Sequence, residues 1–216
     1  MSADPCGGHG ATTISEINPI AGHIALEFVN ALVDYRFEGI SPAEGYETLV
    51  CWSRHSSILC PSALDYVNAE SAEQQAEAES VFLRAQTLRQ VLFNIFSHEA
   101  QGESADPRDI AVLNEELAAA LCRRRLKRRD GRYFWASRGG DIALDVMLWP
   151  IVYEAAELLV SDDLRWVREC QGQDCRRLFL DTSRGRNRRW CDMGACGNRA
   201  KARRNYEKKR SDEKPR

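Results

Sequence analysis

Cys170-Gln171-Gly172-Gln173-Asp174-Cys175 and, fifteen residues further on, Cys191-Asp192-Met193-Gly194-Ala195-Cys196 form two cysteine pairs that each enclose four residues. This spacing lies within the range of zinc-binding knuckles. Thiolates suit zinc because the ion is borderline-soft, accepts tetrahedral geometry without electronic penalty and lowers thiol pKa on binding. Two other readings compete. Four buried thiols without metal need a core around them, and this segment has little beyond Leu178, Phe179, Leu180, Trp190 and Tyr206. A redox pair favours the tighter Cys-x-x-Cys spacing. The expectation is therefore one structural zinc on Cys170, Cys175, Cys191 and Cys196, with no coordination position left open for water or substrate.

Outward from the cluster, Leu164–Val167 alternates and Arg177–Leu180 sets Leu178 and Leu180 on one face, which predicts a hairpin turning at Cys170–Cys175. The second pair runs into a helix from about Met193 to Arg210. A knuckle on a hairpin plus a pair at a helix start is the treble-clef arrangement.

That helix is basic all round. Arg199, Arg203 and Arg210 share one side with Tyr206, while Lys201, Arg204, Lys208 and Lys209 spread over the rest. No core can hold so polar a helix, so the metal must fix its first turn. From Arg176 to Arg210, 13 Lys/Arg stand against three acids, a local balance of +10 in a chain of net charge −2. An acidic body with a basic end commonly has two jobs. Arg199, Lys201, Arg203, Arg204 and Lys208 are the candidate nucleic-acid contacts, neutralising phosphates or, for Arg, reading guanine edges. The competing reading is a solvated tail, or one neutralised by the acidic body of the same or a second subunit. Asn198 either hydrogen-bonds the knuckle or reads a base.

Upstream, the pattern is helical. Ile24, Phe28, Leu32 and Tyr35 line one side of a helix from His23, with Leu26, Val29 and Val33 as a second strip. Gly39–Gly45, with Pro42, breaks it, and Thr48–Leu59 supplies a second helix. Pro61 starts a third, which Ala/Glu/Gln-rich residues 69–80 and then Val81, Ala85, Leu88, Leu92 and Ile95 continue towards His98, with Gly102 as the stop. Asp106 caps a helix with Pro107 at its first position and Ile110, Leu113, Leu117 and Leu121 as its stripe. Arg124–Lys127 and Arg132–Trp135 flank Asp130–Gly131, a hairpin signal with an unusually basic first arm. Gly139–Gly140 ends the hairpin, and Asp141 caps a helix that Pro150 should kink or divide. Cys6, Cys51, Cys60 and Cys122 are scattered and read most simply as core thiols; Cys6 and His9 make an unconvincing metal pair.

The chain thus reads as mainly α: a disordered terminus (1–13), a multihelical domain with one small hairpin (14–160), a zinc finger (161–210) and a tail (211–216). At 44% hydrophobic and 29% charged, with no apolar run near the roughly 18 residues of a membrane span and no signal-peptide pattern, it is expected to be cytoplasmic. No phosphate loop, nucleophile elbow or paired-histidine motif suggests an enzyme. His23, Asn30, Arg84 and Arg89 lie near strongly apolar helices. Each is more often a satisfied polar group than a ligand contact, but together they would suit a small acidic or polar effector.

Arg189-Trp190-Cys191-Asp192-Met193 with Cys196-Gly197-Asn198-Arg199, continued by Phe179–Ser183 and Ala200–Arg203, resembles the CGNR zinc finger. Ala25-Leu26-Glu27-Phe28-Val29-Asn30, Leu88-Arg89 and Glu157-Leu158-Leu159 are similar to landmarks of the ABATE domain that precedes this finger in bacterial proteins. Glu27 and Ala31 depart from it, standing where Asp and Thr are expected in the opening phrase. The resemblance implies a bacterial transcription regulator, often described as stress-induced, and favours DNA over RNA as partner. The helical domain would then sense a ligand or form a homodimer. The alternative function is a zinc-finger module that binds an acidic protein partner.

Overall fold

The computed structural model describes residues 20–34, 42–129, 131–137 and 143–212. Among these, the fold is mainly helical: α1 (Ile24–Asp34), α2 (Pro42–His55), α3 (Pro61–Glu73), α4 (Gln75–Gln101), α5 (Pro107–Cys122), α6 (Leu148–Val160) and α7 (Asn198–Asp212). Two antiparallel ribbons interrupt the helices, β1 (Arg124–Arg129) with β2 (Arg132–Ser137), and β3 (Val167–Glu169) with β4 (Leu178–Leu180). Residues 1–13 with Cys6 and His9, Tyr35, Gly39, Asp130, Gly139–Gly140 and Asp141 lie outside the described residues.

α4 is the axis of the body. Its 27 residues bury Ala78, Val81, Phe82, Ala85, Leu88, Val91, Leu92, Ile95 and Phe96, and α1, α2, α3 and α5 all pack on it. α1 buries Ala25, Leu26, Phe28 and Val29 at 1% exposure or less, as its two apolar strips predict. Each such Leu, Phe or Val contributes about 1.5–3 kcal/mol of transfer free energy.

Packing overrides the sequence reading in several places. The helix begun at Pro61 does not run on to His98, because the chain turns at Gln74 (φ −118°, ψ 50°). No Pro or Gly forces this. The turn lets Leu64 and Val67 of α3 and Ala78, Val81 and Phe82 of α4 face one core from two directions. Gly45 is no breaker: α2 already begins at Pro42, where a missing N–H costs nothing. A Cβ on Gly45 would stand 2.2 Å from the Phe82 ring, so glycine here permits close approach of α2 to α4.

Pro150 neither kinks nor divides a helix, because α6 starts at Leu148 and Pro150 falls in its unbonded first turn. Asp106 does cap α5, accepting from the Arg108 N–H at 2.8 Å. Leu121, expected on the α5 stripe, is exposed, and Ala120 is buried in its place. Cys60 and Cys122 are exposed, so these two are not core thiols, while Cys51 is half-buried on α2.

After α6, Ser161 caps a short 3-10 turn (Asp162–Trp166), its hydroxyl accepting from the Asp163 N–H. β4 then divides its side chains between two cores by simple alternation. Leu178 and Leu180, with Val167 of β3, enter the main helical core, while Phe179 packs with Cys170, Cys191 and Cys196. The hairpin is thus shared between the helical body and the cysteine cluster.

Candidate functional site

The Sγ atoms of Cys170, Cys175, Cys191 and Cys196 all lie within 4.8 Å of one another. Cys175–Cys191 and Cys191–Cys196 are each 3.7 Å apart, close to the roughly 3.8 Å edge of a tetrahedron built on Zn–S bonds of about 2.3 Å. Cys170 directly follows β3, Cys175 closes the turn through a 3.1 Å hydrogen bond from its N–H to the Gly172 carbonyl, Cys191 precedes a turn of π-helix (Met193–Gly197), and Cys196 sits within it. Gly172 sits hard against the cluster: a Cβ there would meet Cys196 Sγ at 3.1 Å and Cys175 Cβ at 3.2 Å.

The donor chemistry fits zinc. A hydrogen bond shared with Cys191 holds the Cys175 thiol down to about 5, while that bond and burial push the Cys191 thiol up, and burial pushes Cys196 up. Four thiolates this close cannot all ionise against one another, and a divalent cation removes the conflict. Donors for the sulfurs are in place. Gly172 N–H and Cys191 N–H donate to Cys170 Sγ at 3.4 and 3.3 Å, and the Arg199 guanidinium donates to Cys196 Sγ at 3.1 Å. Such bonds offset the −2 formal charge of a Zn(Cys)4 centre. The four cysteines hold one structural zinc.

Two residues that sequence reasoning left aside build the loop between the pairs. Asp181 is fully buried, and its carboxylate accepts from Ser183 N–H, Ser183 Oγ and Arg188 N–H at 3.0, 2.6 and 2.9 Å. Burial opposes its ionisation, but these bonds outweigh it and hold the carboxyl below its ordinary range. Arg188 donates to the Trp190, Ile20 and Cys191 carbonyls and lies 4.5 Å over the Phe179 ring. The sequence counted Arg188 simply as positive charge. The one available signal was the hydrophobic segment around Asp181, where an acid needs partners.

Asp192 caps the π-turn, its carboxylate accepting from Ala195 N–H, and Asn198 Nδ2 donates to the Gly194 carbonyl at 3.0 Å. Asn198 therefore supports the knuckle. On α7, Arg199 and Arg203 line a groove with Gly172, Gln173, Asp174 and Ala200, and Arg203 donates to the Gln173 carboxamide. Lys201 and Arg204 are exposed without ion pairs among the described residues. Lys208 continues their spacing along the helix.

Residues 22–162 match the ABATE family, whose description is "Putative stress-induced transcription regulator", and residues 166–209 match the CGNR zinc finger. The chain belongs to the ABATE family. Both matches follow the expected order, body first and finger second. No curated protein matches the chain. The families found are regulatory and zinc-finger types rather than enzyme families.

In this ABATE-family chain the four polar residues proposed for an effector pocket are engaged separately. Asn30 is buried and bonded to the backbone of Leu178. Arg84 forms a two-pronged bond to Glu116 (2.8 Å each) and reaches Asp145 at 3.1 Å, which raises its pKa further. His23 lies 3.8 Å from Glu154, with burial lowering its pKa. Arg89, whose pKa burial also lowers, contacts Gln90. Among the described residues, no helix is long and apolar enough to cross a membrane.

Proposed function

We propose that this protein is a DNA-binding transcription regulator whose contacts are carried by α7. One observation carries the reading: among the described residues α7 has no buried side chain and Lys201 and Arg204 have no carboxylate partner, yet the helix is anchored at its first turn by the cysteine cluster. A helix that buries nothing of its own is maintained for what it presents. Lys201, Arg204 and Lys208 recur at the three- and four-residue intervals of one helix face, suited to a phosphate backbone. Arg199 and Arg203 flank them on the side of the knuckle. The regulatory description of the family supports DNA over RNA.

In this reading residues 14–160 form the helical domain and 161–210 a finger of treble-clef type. The test is fluorescence anisotropy with a pool of genomic duplexes over a range of salt. Lys201→Ala combined with Arg204→Ala should weaken binding and flatten the log–log salt dependence by about 0.9 for each phosphate no longer neutralised. Zinc content should not change, since neither side chain touches the cluster. Failure of the wild-type chain to bind any duplex at low salt would end the regulator reading in favour of a finger that binds an acidic protein partner.

A further inference from the structure

The β1–β2 ribbon is a second concentration of positive charge, far from the finger in sequence. From Arg123 to Arg132 it carries seven Arg/Lys and a single acid, Asp130. Among the described residues no helix packs extensively along it; its extensive seam is the one between its own two strands. It is tied down at its foot, where the Arg123 guanidinium lies 5.6 Å over the Trp149 ring and Arg124 lies 4.7 Å over Tyr153. Beyond that foot Arg125, Lys127, Arg128 and Arg132 are exposed, and none of them forms an ion pair among the described residues.

The ribbon forms against an electrostatic penalty. Alternate residues of a strand share a face about 6.8 Å apart, which places Arg125 beside Lys127 on β1. The register sets Ala136 and Phe134 opposite them, so no carboxylate across the ribbon offsets their repulsion. A two-stranded ribbon without a packed partner is marginal in water to begin with. A polyanion turns the same charges from a cost into a binding contribution.

We propose that this ribbon is a second nucleic-acid contact, with the phosphate backbone of a duplex as its ligand. It rests on the nucleic-acid reading of α7 for the kind of ligand, but on none of the α7 residues. A protein partner fits less well, because the core of a protein interface is depleted of charge and needs an apolar centre. The ribbon's described exposed apolar side chains are Leu126 and Tyr133, and the Arg128 guanidinium already lies over the Tyr133 ring at 5.8 Å. A duplex offers about one negative charge per 1.7 Å of axis to meet Arg125 and Lys127, and its major groove admits a two-stranded ribbon.

The experiment uses the full-length, zinc-loaded chain and a pool of duplexes of fixed length, with affinity followed against salt. The ribbon variant combines Arg125→Gln, Lys127→Gln, Arg128→Gln and Arg132→Gln; the helix variant combines Lys201→Ala and Arg204→Ala. The ribbon variant should bind at least tenfold more weakly at low salt, with the slope reduced by about 2 to 4. Its zinc content and helical circular dichroism should match wild type. Arg→Lys replacement at positions 125, 128 and 132 should keep the slope, because phosphate contact reads charge. Wild-type affinity and slope in the glutamine variant would overturn the proposal, as would loss of the slope in the lysine variant. If the helix variant binds normally and the ribbon variant does not, the ribbon stands and the α7 reading falls. If the wild-type chain binds no duplex but self-associates in a salt-sensitive way that the ribbon variant abolishes, the ribbon's partner is the acidic face of a second copy and the proposal is overturned.

Discussion

The Asn30 carboxamide pairs with Leu178 much as a neighbouring strand would. Leu178 N–H donates to Asn30 Oδ1 at 2.9 Å and Asn30 Nδ2 donates to the Leu178 carbonyl at 2.7 Å, across 148 positions of sequence. Beside it, Leu180 N–H donates to the Ala21 carbonyl at 2.7 Å. The open edge of β4, which would otherwise present unpaired groups, is closed by α1 and the residues before it. The hairpin that carries the first zinc knuckle is therefore fastened to the helical body by backbone bonds as well as by Leu178 and Leu180.

Asn30→Ala should accordingly destabilise the whole protein. Two buried backbone groups of Leu178 would be left without partners, each at about 1–3 kcal/mol, so a loss of about 2–6 kcal/mol is expected in denaturant unfolding at an unchanged m-value. Asn30→Asp keeps an acceptor but removes the donor to the Leu178 carbonyl, and should be no milder. A change below about 0.5 kcal/mol in both variants, the range of ordinary surface substitutions, would show that the paired geometry contributes nothing.

Removal of zinc separates what the metal holds from what the body holds. With a chelator, amide protons from Cys170 to Cys175 and along α7 should lose protection, because that region has little core besides Phe179 and the cysteines. Leu178 and Leu180 amides should stay protected, fastened to Asn30 and Ala21. Helical circular dichroism should fall only by the share of α7. Collapse of all protection on chelation would make body and finger one cooperative unit.

Gly45→Ala tests the packing of α2 on α4. In an exposed helix this change stabilises by about 0.8–1 kcal/mol. Here the new methyl would meet the Phe82 ring at 2.2 Å, so the expected sign is reversed, with overpacking costing about 1–3 kcal/mol. Phe82→Leu in the same chain should recover part of that cost. A more stable Gly45→Ala protein would mean that the two helices yield freely.

Much of this fold was legible where local chemistry and periodicity agree. The cysteine pairs, the Asp106–Pro107 helix start, the apolar strips of α1 and the β1–β2 hairpin are each written in a few adjacent residues, whereas of the expected arm Leu164–Val167 only Val167 is strand, the rest lying in the 3-10 turn. What escaped depends on contacts distant in sequence. Nothing near Gln74 announces a turn, since helix formers lie on both sides and only the need of α3 and α4 to share a core breaks them apart. Gly45 and Pro150 carry the residue types of breakers, yet a facing Phe82 and a later helix start give them other roles. Asn30 looked like a possible ligand contact because its real partner, the backbone of Leu178, has no side-chain signature. Arg188 was indistinguishable from its basic neighbours until the carbonyls it gathers could be seen.

Asp181 should make the finger acid-sensitive apart from its metal. Its folded carboxyl titrates below its ordinary value, so its contribution to stability is complete above the unfolded pKa of about 4 and is lost as pH falls through the folded value. Asp181→Asn should lower stability at neutral pH and flatten its fall between about pH 4 and the folded pKa, because Asn cannot accept all three donors. An equally steep acid loss in Asp181→Asn would assign the effect to other carboxylates.

Arg199 separates metal binding from ligand binding on one helix. Its guanidinium donates to Cys196 Sγ at 3.1 Å, whereas Lys201 and Arg204 touch none of the four clustered cysteines. Removing a partner that supports a metal ligand commonly costs 10- to 100-fold in metal affinity. Arg199→Ala should therefore weaken zinc retention by about that factor in competition with a chromophoric chelator, while Lys201→Ala and Arg204→Ala leave it unchanged. At saturating zinc, Arg199→Ala should still fold and show whatever phosphate contact the side chain also makes. Unaltered zinc affinity together with a reduced salt slope would make Arg199 a phosphate contact alone. Reduced zinc affinity with an unaltered slope would place it wholly with the metal, leaving the face of Lys201 and Arg204 to meet the duplex.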